Sequence, residues 1–406
     1  MATSSFTYYP TDKYLADQFR YGVKPTHPNN TFIASRARLE SSLAWTREEI
    51  QNNMHDECLL RLSEHDVQAL ETAAESFEET GIGLSDISSE NFLLPDNLAA
   101  RLTAISDKCY HGRGFVVVNG LNPTKLGPKR NVVIYAGIAA YVAPQHGFLD
   151  KSHKRVLCHV VNAAPRQSEN SNAGKSPGFT DGPLAFHTDN CEILSLFSLD
   201  MASEGGQTYV SSAYQLYNEL VEKRTDILQT LADHWVLDTF TDYTKNPPIV
   251  RPMLHVSDTH DEDYEGGRNS PHVIFTYSRF PMAGFKGRTR NSALPPVTTA
   301  QIEAMDTVQY LLSRNAVALP WHKGDMVFLN DMAIMHAREP FKEGGDLQRH
   351  LLKFYLRDPK QNWPIPATAR QHWDTIYGPN TMDGRREEEW CIRYEEGQED
   401  NWMSNG

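Results

Sequence analysis

From residue 156 to residue 358 the sequence keeps returning to short apolar runs rich in branched and aromatic residues, each closed by a turn signal. VLCHVVNA (156–163), PLAFHTDN (183–190), ILSLFSLDM (193–201), QTYVSS (207–212), HVIFTYSRF (272–280), DMVFLN (325–330) and HLLKFYLRD (350–358) all have this form, as does GFVVVNGL (114–121) upstream. Many short strands separated by turns predict a sandwich, jelly roll or barrel. Two long helical patterns interrupt them, at 213–234 and at 298–315, the second opened by Thr298 with Gln301 three residues on.

The first hundred residues read differently. In TREEIQNNMHDECLLRL (46–62) and SEHDVQALETAAESFEET (63–80) apolar positions recur at helical spacing, and Ser63 followed by Asp66 has the form of an N-terminal cap. VVIYAGIAAYV (133–143) is too short to span a bilayer and predicts a core helix. The expected organisation is a helical extension over 1–105, a β domain over 106–360 with a polar loop inserted near 240–270, and a tail over 361–406 that packs partly on the body. The extension and the loop are candidates for a lid or an oligomer contact.

Composition excludes several partners. A formal charge of −13, from 52 acidic and 39 basic residues, repels phosphate backbones and anionic lipid, so neither nucleic acid nor a membrane is expected. Five scattered cysteines without a CxxC pair fit a reducing compartment. With no basic start and apolar core visible in MATSSFTYYPTDKYLADQF, the expected location is cytoplasmic.

The chemistry concentrates in PLAFHTDNCEIL, where His187 and Asp189 interrupt an apolar run. In a strand, residues i and i+2 point the same way, so the imidazole and the carboxylate converge. A non-haem Fe(II) site of the facial type needs two imidazoles and one carboxylate on one side of the metal, with the other positions open. The best third ligand is His336 in GDMVFLNDMAIMHAREPF. Two other HxE matches, His55 to Glu57 and His260 to Glu262, fall in a helical pattern and in a polar loop. Thirteen residues after His336 comes Arg349, with Lys353 four further on and on the same strand face. A guanidinium near the metal suits the distal carboxylate of a dicarboxylate cosubstrate, because its planar fork pairs bidentately. The turn Gly205-Gly206-Gln207-Thr208 supplies a hydroxyl that can add a hydrogen bond. Asn190, Tyr277 and Arg279 are the candidate substrate contacts, while His234, His255, His322, His350 and His372 are expected to be structural or surface residues.

The ordered set FHTD, EGGQT, FLND, MHAREPF and RHLLKFYLRDP resembles the taurine dioxygenase-like (TauD/TfdA) branch of the Fe(II)/2-oxoglutarate-dependent dioxygenases, over roughly residues 110–360. The resemblance implies a mostly β protein with flanking helices and a double-stranded β-helix (jelly-roll) core of the clavaminate synthase-like kind. It implies that His187, Asp189 and His336 are the catalytic iron ligands, and that Thr208, Arg349 and Lys353 serve 2-oxoglutarate. Lys353 stands where the family usually has a second arginine, which leaves open which cation is the main anchor. The implied cofactors are Fe(II) and 2-oxoglutarate. The implied reaction uses molecular oxygen to oxidise a C–H bond of a small molecule, by hydroxylation, desaturation or ring closure, with release of succinate and CO2. An amino-acid-like or natural-product intermediate of secondary metabolism fits as substrate. The alternatives are a metal-dependent hydrolase or isomerase on the same fold, and a binding protein without turnover.

Overall fold

The computed structural model describes residues 6–10, 38–163, 176–244, 247–256, 272–285, 287–345, 348–378 and 386–398. Helix α1 (Arg47–Glu57) opens at Thr46, whose side chain and that of Glu49 cap each other's backbone N–H groups. The helical reading of 46–62 ends early, because Leu59–Arg61 leaves the helix as strand β1. Its apolar Leu59 and Leu60 fit a helix or a strand equally; pairing with Phe115–Asn119 (β2) decides for the strand. Helix α2 (Glu64–Thr80) starts with the reciprocal Ser63 and Asp66 cap and stops at Gly81 in the left-handed region, φ 71°. Helices α3 (Asp96–Tyr110) and α4 (Pro123–Val142) follow, on either side of β2.

The β region runs through β3 (Gln145–Gly147), β4 (Cys158–Val161), β5 (Leu184–His187), β6 (Ile193–Asp200), β7 (Glu204–Gly205) and β8 (Thr208–Ser212). Helices α5 (Ala213–Lys223) and α6 (Thr225–Ala232) come next. They form two helices rather than one over 213–234, because Arg224 leaves helical geometry (φ −146°, ψ 60°) and ties its guanidinium to Asp226 and Glu303. Then come β9 (Trp235–Leu237), β10 (Ile249–Arg251), β11 (Leu254–Val256), β12 (Val273–Phe275), α7 (Phe280–Ala283) and α8 (Thr299–Asn315), the last with its Thr298 and Gln301 capping box formed. The chain closes through β13 (Val317–Ala318), β14 (Met326–Asn330), β15 (Ile334–Arg338), β16 (Phe341–Lys342), β17 (His350–Arg357) and α9 (Ala367–Tyr377).

Two sheets carry the site. The larger has the order β1-β2-β14-β6-β17-β3, with β4 also on β17; the smaller has the order β13-β8-β15-β5. All pairings in them are antiparallel except β1 with β2. Helices α3 and α4 pack on the larger sheet, α5 and α8 on the smaller. The sheets enclose a cavity lined by Val160, Leu196, Leu351, Lys353 and Tyr355 from one and by Leu184, His187, Thr208, His336 and Arg338 from the other. Strand parity places these groups: on β17 the odd residues reach the cavity, while His350 faces away and meets His159 at 2.8 Å.

One buried hydrophobic cluster extends from Leu39 to Tyr377, so the N-terminal helices and α9 share a core with the sheets. The tail contributes buried Trp363 and Trp373; its last residues, and the polar loop read at 257–270, lie outside the described residues. The strand expected over 272–280 stops at Phe275, because Thr276 and Tyr277 bond sideways to Met253 and Thr188 before Pro281 starts α7. No helix among the described residues is long and apolar enough to cross a membrane.

His255, buried between the hydroxyls of Thr276 and Thr368, generates a pH prediction. Burial, reinforced by Arg251 and His372, lowers its pKa from 6.5 to about 3. The unfolded chain therefore binds a proton that the folded chain refuses, and stability present above pH 6.5 drains away as pH falls toward 3. At pH 5 the loss from this residue is about 2 kcal/mol. Urea unfolding at pH 7 and pH 5 should show that difference, and His255→Gln should shrink it by about the same amount.

Candidate metal and cosubstrate site

His187 is the last residue of β5 and pairs directly across the ladder with His336 on β15, so the two imidazoles lie side by side with ring centroids 4.2 Å apart. Asp189 follows after Thr188, whose N–H donates to the carbonyl of Tyr277 at 2.9 Å and whose Oγ1 accepts from the N–H of Tyr277 at 2.9 Å. That two-way bond fixes the chain between imidazole and carboxylate. One ligand atom from each of His187, Asp189 and His336 lies within 4.8 Å of the others, all three residues are buried, and no other such group of His, Cys, Asp or Glu occurs among the described residues.

The donor atoms suit a divalent metal. His187 Nδ1 donates to the carbonyl of Ala185 at 2.9 Å, which leaves Nε2 turned toward Asp189 Oδ1 at 3.5 Å. Burial, with His187 alongside, lowers the His336 pKa to about 3, so its imidazole is neutral as a ligand must be. Its Nδ1 and Asp331 Oδ1 are both buried without a hydrogen bond and face each other at 3.8 Å. Burial alone would raise the Asp189 carboxyl; Lys353, with Nζ 2.9 Å from Oδ2, and the two imidazoles hold it far below the usual range instead.

Arg349 lines the same cavity and is itself buried. Its guanidinium lies 5.4 Å from the centre of the Phe341 ring, and among the described residues no oxygen accepts a hydrogen bond from it. Burial, together with the nearby charge of Arg338, lowers its pKa well below that of an ordinary arginine. Thr208, buried at the start of β8, shares the wall. The turn before it needs glycine: Gly205 sits at φ 70°, and a Cβ there would come within 2.3 Å of the Pro340 carbonyl oxygen. The two cations read together from sequence are thus used differently, Lys353 on Asp189 and Arg349 on no carboxylate among the described residues.

The three candidate substrate contacts are spent elsewhere, and none lines the cavity. Asn190 takes the left-handed conformation (φ 60°) that turns the chain from β5 into β6; its side chain accepts from Thr188 and its carbonyl from His372. Tyr277 donates its hydroxyl to the Met305 carbonyl at 3.0 Å. Arg279 forms a fully buried ion pair with Asp306 at 2.6 Å. As substrate contacts these residues would have to break such bonds. The sequence reading missed Arg338, although its place two residues after His336 on one strand is a parity signal. Arg338 lines the cavity and donates to the carbonyls of Gly178 (3.4 Å), Thr180 (2.6 Å) and Gly182 (2.5 Å), which fixes the 178–182 turn as a wall.

Comparison with known proteins agrees with this geometry. The family profile described as taurine catabolism dioxygenase TauD, TfdA family matches residues 75–355. The chain belongs to that family and is an Fe(II)- and 2-oxoglutarate-dependent dioxygenase. It is similar to a taurine hydroxylase-like protein, SAT17, of Stachybotrys chartarum, 30% identical over 345 residues that cover 84% of this chain and 85% of that one. FR-33289 synthase of Streptomyces rubellomurinus is 24% identical over 338 residues, covering 80% of this chain and 88% of that one. Among solved structures, asparagine oxygenase with Fe(II), 2S,3S-3-hydroxyasparagine and succinate superposes with a TM-score of 0.52 at 15% identity, covering 75% of this chain and 95% of that chain. The non-heme iron oxygenase OrfP, with Fe, succinate and (3S)-hydroxy-L-Arg, gives 0.50 at 15%, covering 76% and 97%. These likenesses show a shared fold.

Arg338→Met should leave three carbonyls of the 178–182 turn without their donor and lower the unfolding free energy by about 2–4 kcal/mol. Urea denaturation measures it; a change under about 0.5 kcal/mol, the scale of an ordinary surface substitution, would show that the turn stands without Arg338.

Proposed function

We propose that His187, Asp189 and His336 hold the iron, that Arg349 with Thr208 binds the distal carboxylate of 2-oxoglutarate, and that Lys353 orients Asp189 rather than anchoring the cosubstrate. The observation that carries this reading is Arg349: a buried guanidinium without an acceptor among the described residues shares a cavity with the metal-ligand triad. A buried cation is costly without a partner, and a carboxylate brought in by the cosubstrate supplies one. The cavity between two largely antiparallel sheets also fits the double-stranded β-helix reading of the fold. The continuous core supports treating the described parts of 1–105 and 361–406 as packed onto 106–360.

Iron with bound 2-oxoglutarate supplies the activation of oxygen, releasing succinate and CO2 as a substrate C–H bond is oxidised. The chain's own groups do the positioning. The Ala185 carbonyl sets the tautomer and angle of His187; Lys353 takes one Asp189 oxygen and leaves the other facing the imidazoles; Arg349 sets the cosubstrate's far end. Leu184, Phe179, Phe280 and Tyr355 make the rest of the cavity apolar and exclude water. The substrate is a small molecule, and the names of SAT17 and FR-33289 synthase support a place in natural-product metabolism. A cytoplasmic enzyme is consistent with five buried cysteines, none of them in a disulfide.

Anaerobic addition of Fe(II) and 2-oxoglutarate should produce the visible charge-transfer band of a chelated keto acid, and His187→Ala or Asp189→Ala should abolish it. Arg349→Met should keep metal binding but weaken 2-oxoglutarate by about 100-fold, near 3 kcal/mol. An unchanged cosubstrate affinity in Arg349→Met would move the carboxylate site elsewhere.

A further inference from the structure

We propose that Tyr8, delivered by an N-terminal segment outside the region matching the family profile, forms part of the substrate wall and determines which molecules the pocket accepts. The proposal rests on the dioxygenase reading above and assigns its substrate class.

The segment is built into the body. Arg279 Nε donates to the Tyr8 carbonyl at 3.0 Å and Nη2 to the Thr7 carbonyl at 2.7 Å, while Nη1 holds Asp306 Oδ1 at 2.6 Å. The Phe6 ring lies 4.7 Å from the guanidinium carbon. The Arg279 and Asp306 side chains are 1% and 2% exposed, and so deep a pair is tolerable only when its remaining donors are satisfied. Two carbonyls of the segment satisfy them. Arg279 is therefore a positioning residue that aims Tyr8.

Tyr8 then does two things. Its ring meets Phe280 and Phe285 edge-on, at 6.4 and 5.1 Å between centroids, and lines the cavity with the metal-ligand triad. Its hydroxyl oxygen accepts from the Ala185 N–H at 3.3 Å, on the strand whose Ala185 carbonyl holds His187. The phenol's own proton has no acceptor among the described residues, so it is available to a bound molecule. Around it stand Phe179, Leu184 and Phe280, and the only carboxylate lining the cavity among the described residues is Asp189, already engaged by Lys353. An ammonium would find no partner there. The chemistry fits an aromatic or otherwise apolar molecule without an ammonium that presents an oxygen acceptor to Tyr8.

Two measurements on the full-length protein test this. Without any ligand, Tyr8→Phe should speed hydrogen exchange at the Ala185 amide by about fivefold, the worth of one neutral hydrogen bond; unchanged protection overturns the placement of the segment. With Fe(II), 2-oxoglutarate and oxygen, succinate release is then compared over a panel of aryl ethers, aryl ketones and free amino acids. The neutral oxygen-bearing aromatics should stimulate release, and Tyr8→Phe should raise their KM about fivefold with a smaller change in kcat. Stimulation by amino acids alone, by none of the panel, or with the same KM in Tyr8→Phe overturns the assignment. The charge-transfer band of the unaltered protein, read in parallel, tells failure of the iron reading from failure of this one.

Discussion

The site depends on one cross-strand register: His187 on β5 lies opposite His336 on β15. Side chains alternate along a strand, so a slip of one residue would send one imidazole to the helix-covered face and leave two ligands instead of three. β5 is an edge strand of the smaller sheet, where register is least constrained. Its outer side is tied off by groups from distant parts of the chain: the Tyr8 hydroxyl on Ala185, the Gln309 amide oxygen on the Phe186 N–H at 3.0 Å, and Tyr277 on Thr188. These bonds occupy donors that an exposed edge would offer to another strand. They also hold the imidazole and carboxylate at one separation.

Charge in the cavity is arranged around that register. Asp189, Lys353, Arg338 and Arg349 are all set into one low-dielectric space, where each unpaired charge would cost several kcal/mol. Lys353 answers Asp189 and three carbonyls answer Arg338, whose Nε stays unpaired, while Arg349 donates to no oxygen among the described residues. The result is an interior with an excess of positive charge at one place, an environment that favours an anionic group. The like charges of Arg338 and Arg349, both over the Phe341 ring, oppose each other in the absence of an anion. A bound carboxylate offsets that repulsion.

Much of this was legible because it is local. The capping boxes at Ser63 and Thr298 declare themselves within four residues, and the HTD spacing converts to one face by strand parity alone. The same parity placed Arg349 and Lys353 on one face and His350 on the other. What the sequence concealed is pairwise and distant. Nothing near Lys353 announces that Asp189, far back in the chain, will take its ammonium. Arg279 looks like a strand residue aimed at a barrel mouth until Asp306 and the Thr7 and Tyr8 carbonyls claim its donors. Leu59 and Leu60 suit a helix or a strand until β2 supplies a ladder.

The concealed contacts also explain how a family can keep one reaction and change its substrates. The candidate metal and cosubstrate groups lie on or next to β5, β8, β15 and β17, whose registers are coupled through two sheets, so moving one moves the rest. The opposite wall comes from pieces without such coupling: the 178–182 turn pinned by Arg338 with the Ser176 to Phe179 stretch that leads into it, the Ser278 to Phe280 turn, and the segment carrying Tyr8. The 178–182 turn and the Tyr8 segment are fastened by arginine side chains to backbone carbonyls rather than by ladders. A substitution in these pieces therefore reshapes the space in front of the metal at the expense of a few hydrogen bonds, while the ligand register stays where the sheets hold it.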